Sequence, residues 1–237
     1  MTQVLGIDGC RAGWFAIINQ DERWSYTLAP SIEALLNEHG TADRIFIDIP
    51  LGLADEQTRQ CDQLARRLLS PYRHSSVFST PVREAVYASS YTMACRVNAQ
   101  QTGRMITRQT WNICPKIREV DTWLRQHLDA QSRVYESHPE VAFYALNKAR
   151  PLQTRKKSPE GREQRLTLLT QAIGSARQLF DQAVSDYPRV RLQTDDILDA
   201  MVLAVMASYK ETNHCYLPKP APVDRYGIPM RIVYVRQ

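Results

Sequence analysis

VLGIDGCRAGWFAII, residues 4–18, is the stretch whose reading decides the fold. Two apolar runs, 4–7 and 14–18, are joined by a glycine-containing connection, and a third, WSYTL at 24–28, follows the polar turn NQDER. Short strand-like runs separated by short turns predict an antiparallel meander. Pro30 and Ser31 open a helix, SIEALLNEH, that Gly40 stops. RIFIDIP, 44–50, is then a fourth strand ended by Pro50, and its position after a helix predicts a parallel crossover.

Beyond residue 50 the period changes. Residues 51–130 read as a helical insertion containing QTRQCDQLARRLL, a continuous amphipathic stretch PVREAVYASSYTMACRV, and PKIREVDTWLRQHL with Pro115 in its first turn. Residues 70–80, SPYRHSSVFST, have no sustained period and read as a loop. RVYE (133–136) is a short strand and PEVAFYALN a helix; 148–165 is polar, basic and expected to be exposed and mobile. Two more helical stretches precede TDDILDAMVLAVMASY (194–209), and RIVYV (231–235) is a last strand. The expected architecture is α/β: one domain over 1–237, with a mixed sheet of three antiparallel strands followed by parallel ones, flanked by helices.

Composition sets bounds on function. Hydrophobic residues make up 43% and charged residues 23%, which is globular rather than disordered. The net charge of +5 is compatible with nucleic acid without selecting it. Five cysteines with no C-x-x-C pair argue against a zinc knuckle or a disulfide framework. No apolar run approaches the ~20 residues of a membrane span, and VLGIDG follows the start without a charged leader, so a reducing cytoplasm and no membrane are expected.

The informative residues are acids in apolar company. Asp8 ends VLGI, Asp48 lies inside IFIDIP, and Asp199 sits in a helix that is apolar on almost every side. Such a helix is usually buried, and an unpaired carboxylate there costs several kcal/mol or is driven neutral. If strands one and four are parallel neighbours, about 4.8 Å apart, Asp8 and Asp48 converge at the same end. Asp196 and Asp199, three apart, share a helix face in its first turns, where the dipole favours negative charge. Hard oxygen ligands suit Mg²⁺ or Mn²⁺, and two such ions can activate water and stabilise the leaving oxygen of a phosphodiester. Asp8, Asp48 and Asp199 are the expected metal ligands, with Asp196 and Glu136 as further catalytic acids.

Structural readings stand beside these. Asp8-Gly9 is also a hairpin signal, Asp48 can end a strand, and Glu136 can be a charged strand terminus. Thr194 or Asp195 is the expected N-cap of the last helix. Ser137-His138-Pro139-Glu140 fits a capping box, which would account for Glu140, and leaves His138 either structural or a proton shuttle. Arg59, Arg66, Arg67, Arg73, His74 and Arg83, with Tyr72 and Phe78, make the insertion basic and aromatic. Arg59, Arg66, Lys156 and Lys157 are the candidates for binding phosphate, against the reading of a solvated, ion-paired surface.

The segments GIDGCRAGW, FIDIPLGL, RQCDQLAR, SSVFSTPVREA, PKIREVD, YESHPEVAF, KKSPEGR and TDDILDA, in this order over most of the chain, resemble domain-of-unknown-function family 429. That family is described as predicted nucleases of the ribonuclease-H-like superfamily. The resemblance implies a mixed sheet beginning with three antiparallel strands, an acid on the first strand (Asp8) and one on the fourth (Asp48). Asp196-Ile197-Leu198-Asp199-Ala200 resembles the D-x-x-D-A pattern of Holliday-junction resolvases. The large insertion after Asp48 departs from the superfamily. The expected function is divalent-metal-dependent hydrolysis of a nucleic-acid phosphodiester; the alternatives are a binding module that keeps the fold without the chemistry, and an ATP-using phosphotransferase. The last would need a second nucleotide-binding half with its own Gly-rich loop, and the chain has nine glycines without such a duplication.

Overall fold

The computed structural model describes residues 2–236. Strands β1 (Gln3–Cys10), β2 (Gly13–Gln20) and β3 (Arg23–Ala29) form the expected antiparallel meander. Asp8 pairs with Phe15 inside the β1–β2 ladder and the tight turn falls at Arg11 and Ala12, so Asp8-Gly9 is strand rather than hairpin turn. Helix α1 (Ile32–His39), with Ser31 accepting from the Ala34 N–H at 3.1 Å, carries the chain back to β4 (Arg44–Ile47), which runs parallel to β1. Strand β5 (Val134–Glu136) is parallel to β4, giving a five-stranded mixed sheet in the order β3-β2-β1-β4-β5. This is the ribonuclease-H-like arrangement the sequence implied. Strand β4 ends one residue before Asp48, whose backbone N–H still donates to Ile7 at 2.9 Å.

Alternation along the strands sorts the core into two layers. Leu5 and Ile7 of β1 and Ile45 and Ile47 of β4 face α1 and α5 (Arg108–Gln126). Val4 and Phe46 face the opposite layer, built mainly by α6 (Pro139–Leu146), α7 (Pro159–Ala172), α8 (Ala176–Asp186) and α9 (Thr194–Ser208). Gly6, Asp8 and Asp48 share the parity of that second layer, so both acids point toward α9.

The contact between β1 and α9 is unusually close. A Cβ on Gly6 would lie 2.0 Å from the Ala204 nitrogen and 2.3 Å from the Ala200 oxygen. The small residues Ala200 and Ala204 complete the fit, so the helix backbone rests on the strand backbone.

Between β4 and β5 lie α2 (Gln60–Leu68), α3 (Arg83–Val86), α4 (Tyr91–Thr102) and α5, which make up the expected helical insertion. Its internal boundaries differ from expectation. The stretch 81–97 is two helices, because Ser90 caps a new one by accepting from the Met93 N–H at 3.2 Å. Helix α5 begins seven residues before Pro115, which lies inside it rather than in the first turn. Thr107 caps that earlier start, accepting from Thr110 at 3.1 Å, and the buried Thr110, Cys114 and Ile117 offset the missing proline N–H. The 70–80 loop contains a single 3-10 turn, His74–Ser76. Residues 148–165 are not uniformly exposed: α7 starts at Pro159, capped by Ser158, and Arg165 is fully buried. The RIVYV segment forms β7 (Ile232–Val235), which pairs with the unanticipated β6 (His214–Leu217) in a separate two-stranded sheet.

Gly6→Ala is expected to destabilise the protein by at least about 3 kcal/mol in urea unfolding, because the added methyl meets backbone on both sides. Wild-type stability would show that strand and helix are not in backbone contact.

Candidate functional site

The acids at the carboxyl ends of β1 and β4 are neighbours because Ile7 is in register with Ile47, and Asp8 and Asp48 each come next. Helix α9 brings Asp199 from above, and the charges of Asp8, Asp48 and Asp199 act on one another. Asp8 is 8% exposed and Asp199 3%. Neither the Asp8 nor the Asp48 carboxylate accepts a hydrogen bond among the described residues. Asp48 is half-buried and both acids line a cleft, so their oxygens can be reached from it while receiving no protein donor. Lys156 supplies the nearest cation: its Nζ lies 2.8 Å from Asp199 and 3.5 Å from Asp195. Lys157 is more exposed and stands 3.9 Å from Asp195.

Burial and mutual repulsion shift these groups upward. Asp8 and Asp199 are raised by burial first, Asp8 then by Asp48 and Asp199. Asp48 is pushed up to about 6 by burial, with Asp199 adding to it. Asp196 reaches about 6 for the same leading reason, although its Oδ2 accepts from the Gln193 N–H at 3.0 Å. That bond makes Gln193, not Thr194 or Asp195, the N-cap residue of α9. Asp195 is freed for the site, where it is buried beside Lys156. Lys156 is raised by Asp199, against its own burial, and stays charged.

Glu140 also belongs to this neighbourhood, and no capping box explains it. His138 is the N-cap of α6: its Nδ1 accepts from the Glu140 N–H at 3.2 Å while its Nε2 faces the Ser76 carbonyl at 3.2 Å. Ser137 donates to the Val233 carbonyl at 2.7 Å instead. The Glu140 carboxylate takes one oxygen to Arg165 at 2.6 Å and Arg73 at 3.2 Å. Its other oxygen is buried without a partner, and its charge raises both Asp48 and Asp199.

Arg59 and Glu136, expected to bind substrate and to catalyse, are tied to each other. The buried Arg59 guanidinium meets Glu136 at 2.6 and 2.8 Å, Asp62 at 2.6 and 3.2 Å, and the carbonyls of Leu51 and Gly52. Its donors are consumed. Glu136 also accepts from the Leu51 N–H at 2.7 Å, and Asp62 from Thr80 at 2.8 Å. Cys61, Asp62 and Glu136 form a buried group whose ligand atoms lie within 4.8 Å of one another, a spacing that suits a metal ion. Arg59 fills that position, and burial pushes the Cys61 thiol up, away from the thiolate a metal needs. No other group of three such side chains reaches this spacing among the described residues. Asp8, Asp48 and Asp199 therefore stand somewhat wider apart, with the Lys156 ammonium among them. Two ions about 4 Å apart do not require all ligands to touch one point.

A cleft opens over Asp8 and Asp48, walled by Ser76, Phe78, His138 and Ile113, and it is continuous with a second one reaching Arg66 and Arg104. Arg66 is partly buried and donates to the Val77 carbonyl; Arg67 is exposed. Arg73 is turned inward to Glu140, and Arg83 is buried on Asp121 and Asp224. Tyr72 is exposed and His74 faces the Pro71 carbonyl at 2.9 Å.

The site thus consists of acids at the ends of two parallel strands of a mixed sheet, in a ribonuclease-H-like arrangement, and on the helix packed over them. The chain belongs to the family described as "Protein of unknown function (DUF429)", whose model matches residues 6–223. No curated protein and no solved structure matches it. No helix among the described residues is long and apolar enough to cross a membrane.

The raised acids dictate a pH dependence. A carboxyl whose folded value exceeds its unfolded value binds more protons when folded, so stability falls as pH rises through that interval. For Asp48 the window runs from the unfolded value near 4 to about 6. In chelator, Asp48→Asn is expected to raise the Tm at pH 8 and to change it little at pH 4; a variant less stable at pH 8 would contradict the cluster. Arg59→Ala, which strands Asp62 and Glu136, is expected to cost about 3–5 kcal/mol in chemical unfolding. A near-neutral effect would mean that the pair is solvated.

Proposed function

We propose that this chain is a divalent-metal-dependent phosphodiester hydrolase acting on nucleic acid, built as one ribonuclease-H-like domain over 1–237 with residues 51–130 as a helical insertion. The observation that carries this is the pair Asp8 and Asp48: sunken, adjacent on parallel strands, facing Asp199, and without a protein donor. Their oxygens fit a hard cation, and the partnerless Glu140 oxygen beside them points to the same unmet positive charge. Asp8, Asp48 and Asp199 would hold Mg²⁺ or Mn²⁺, with Asp195, Asp196 and Glu140 adding negative charge around them. Bound there, a pair of such ions supplies activation of water and charge stabilisation for the leaving oxygen.

The remaining roles fall to the chain. Lys156 is raised by Asp199 and so carries its charge here; its side chain is 36% exposed and can pass from Asp199 to a substrate phosphate oxygen. Glu136, held by Arg59 and the Leu51 N–H, fixes the backbone that follows Asp48. Asp196 anchors the first turn of α9 and thereby the direction of Asp199.

Purified protein with Mn²⁺ or Mg²⁺ is expected to cut at least one of single-stranded, duplex, hybrid or branched nucleic acid, and Asp8→Asn and Asp48→Asn to abolish the cutting. Independently of turnover, Mn²⁺ at a hundred times its Kd should stabilise the wild type by about 2.7 kcal/mol and leave Asp48→Asn unmoved. Absence of cleavage on all four substrates overturns the hydrolase.

A further inference from the structure

The cleft above Asp8 and Asp48 does not end at the acids. Its wall residues Ser76, Phe78, Thr80 and Ile113 also line a second cleft that runs between α2, the 70–80 loop and the α4–α5 turn. A third depression continues it, sharing Thr58, Arg66, Ser79, Thr102 and Arg104 and adding Arg67. The electrostatic character reverses along this path. The inner end is anionic, whereas no Asp or Glu lines the outer two sections, whose charged residues are Arg66, Arg67 and Arg104.

These arginines are not spent on the fold. The side chains of Arg67 and Arg104 have no hydrogen-bond or ion-pair partner among the described residues, and Arg66 gives one donor to Val77. The backbone beneath Arg104 is nevertheless fixed. Asn98 donates to the Arg104 carbonyl at 2.7 Å while accepting from the Val82 N–H at 3.0 Å, and Thr102 accepts from the Arg104 N–H at 3.2 Å. Gly103 takes the left-handed conformation, φ 73°, that closes the turn. A held backbone presenting a free guanidinium is suited to binding an anion. Phe78, partly exposed where the inner and outer sections join, offers a ring face at the point where a strand would bend inward.

We propose that this groove is a track for single-stranded nucleic acid: Arg66, Arg67 and Arg104 hold successive backbone phosphates, Phe78 stacks a base, and the strand is led down to Asp8 and Asp48. The proposal rests on the hydrolase reading and names its substrate class. A duplex is stiff over far more than the length of this protein and keeps its phosphates on a broad cylinder that cannot dip to a recessed floor. A single strand can, and basic grooves with interleaved aromatics are how proteins hold one without sequence preference.

The test is fluorescence anisotropy in EDTA, so that no cleavage occurs, with labelled single-stranded DNA and RNA and a blunt duplex of equal length. The wild type should bind the single strands more tightly than the duplex. Arg67→Glu/Arg104→Glu should weaken single-strand binding at least tenfold and reduce the slope of log K against log salt by about 1.4, that is about 0.7 for each lost phosphate contact. Arg23→Glu/Lys210→Glu, the same charge change at the opposite end of the sheet, should do neither. Both groove arginines are exposed, so the variant should keep the wild-type Tm; if it does not, Arg67→Gln/Arg104→Gln takes its place. A groove variant that binds like the control pair, or a duplex bound as tightly as the single strand, overturns the track. Groove-dependent binding without cleavage in Mn²⁺ would uphold the track and remove the hydrolase. Mn²⁺-dependent cutting indifferent to the groove variant would do the reverse.

Discussion

The structure depends on the backbone contact between β1 and α9. Gly6 lets the helix settle on the strand two residues before Asp8, and Ala200 and Ala204 supply the matching flatness on the helix. Every larger residue at these positions would lift α9 by the thickness of a side chain. Asp199 rides on that helix, one position before Ala200, so the approach that packs the core also sets the spacing of the carboxylates. Packing and site geometry are here a single constraint, carried by the smallest residues in the chain.

That constraint concentrates negative charge where it is least tolerated. Asp8, Asp48 and Asp199 are packed against an apolar layer, and Asp195, Asp196 and Glu140 surround them. Lys156 bonds only Asp199 and Asp195 among these. The upward shifts of Asp8, Asp48 and Asp199 come from burial first and from repulsion between neighbouring acids second, and such perturbation is frequent at sites that have a task beyond folding. The contrast with Arg59 is instructive. There, burial also holds Glu136 up, to about 7, but both acids are hydrogen-bonded by one guanidinium and two backbone donors, and the group reads as a fastener between the insertion and the sheet.

Much of this was legible in the sequence because burial leaves a local signature. The apolar runs VLGI and RIFI, read as parallel neighbours, brought Asp8 and Asp48 to the same end, and the apolar surroundings of Asp199 marked it as a carboxylate out of place. The order of elements gave the sheet. What could not be read were partnerships between distant residues. Arg59 looked like a surface cation until Glu136, 77 positions away, was seen to share its guanidinium. Glu140 was masked by a plausible cap, while its true partner Arg165 lay in a segment that looked solvated. Asp195 was set aside as a cap because the choice between adjacent capping residues turns on backbone angles that no local pattern encodes. Pro115 misled for a similar reason, since a strong cap at Thr107 outweighed the local rule for proline.

Asp8 and Asp48 come from the first quarter of the chain, and the helix that confronts them comes from the last. A polypeptide still emerging from the ribosome can pair β1 with β4, but it has nothing to lay over Gly6 until α9 has been synthesised. Until then Asp8 and Asp48 can stand side by side, but with no Asp199 opposite them and no helix to shut out water. Assembly of the pocket thus waits on α9, and acids brought together early are enclosed late.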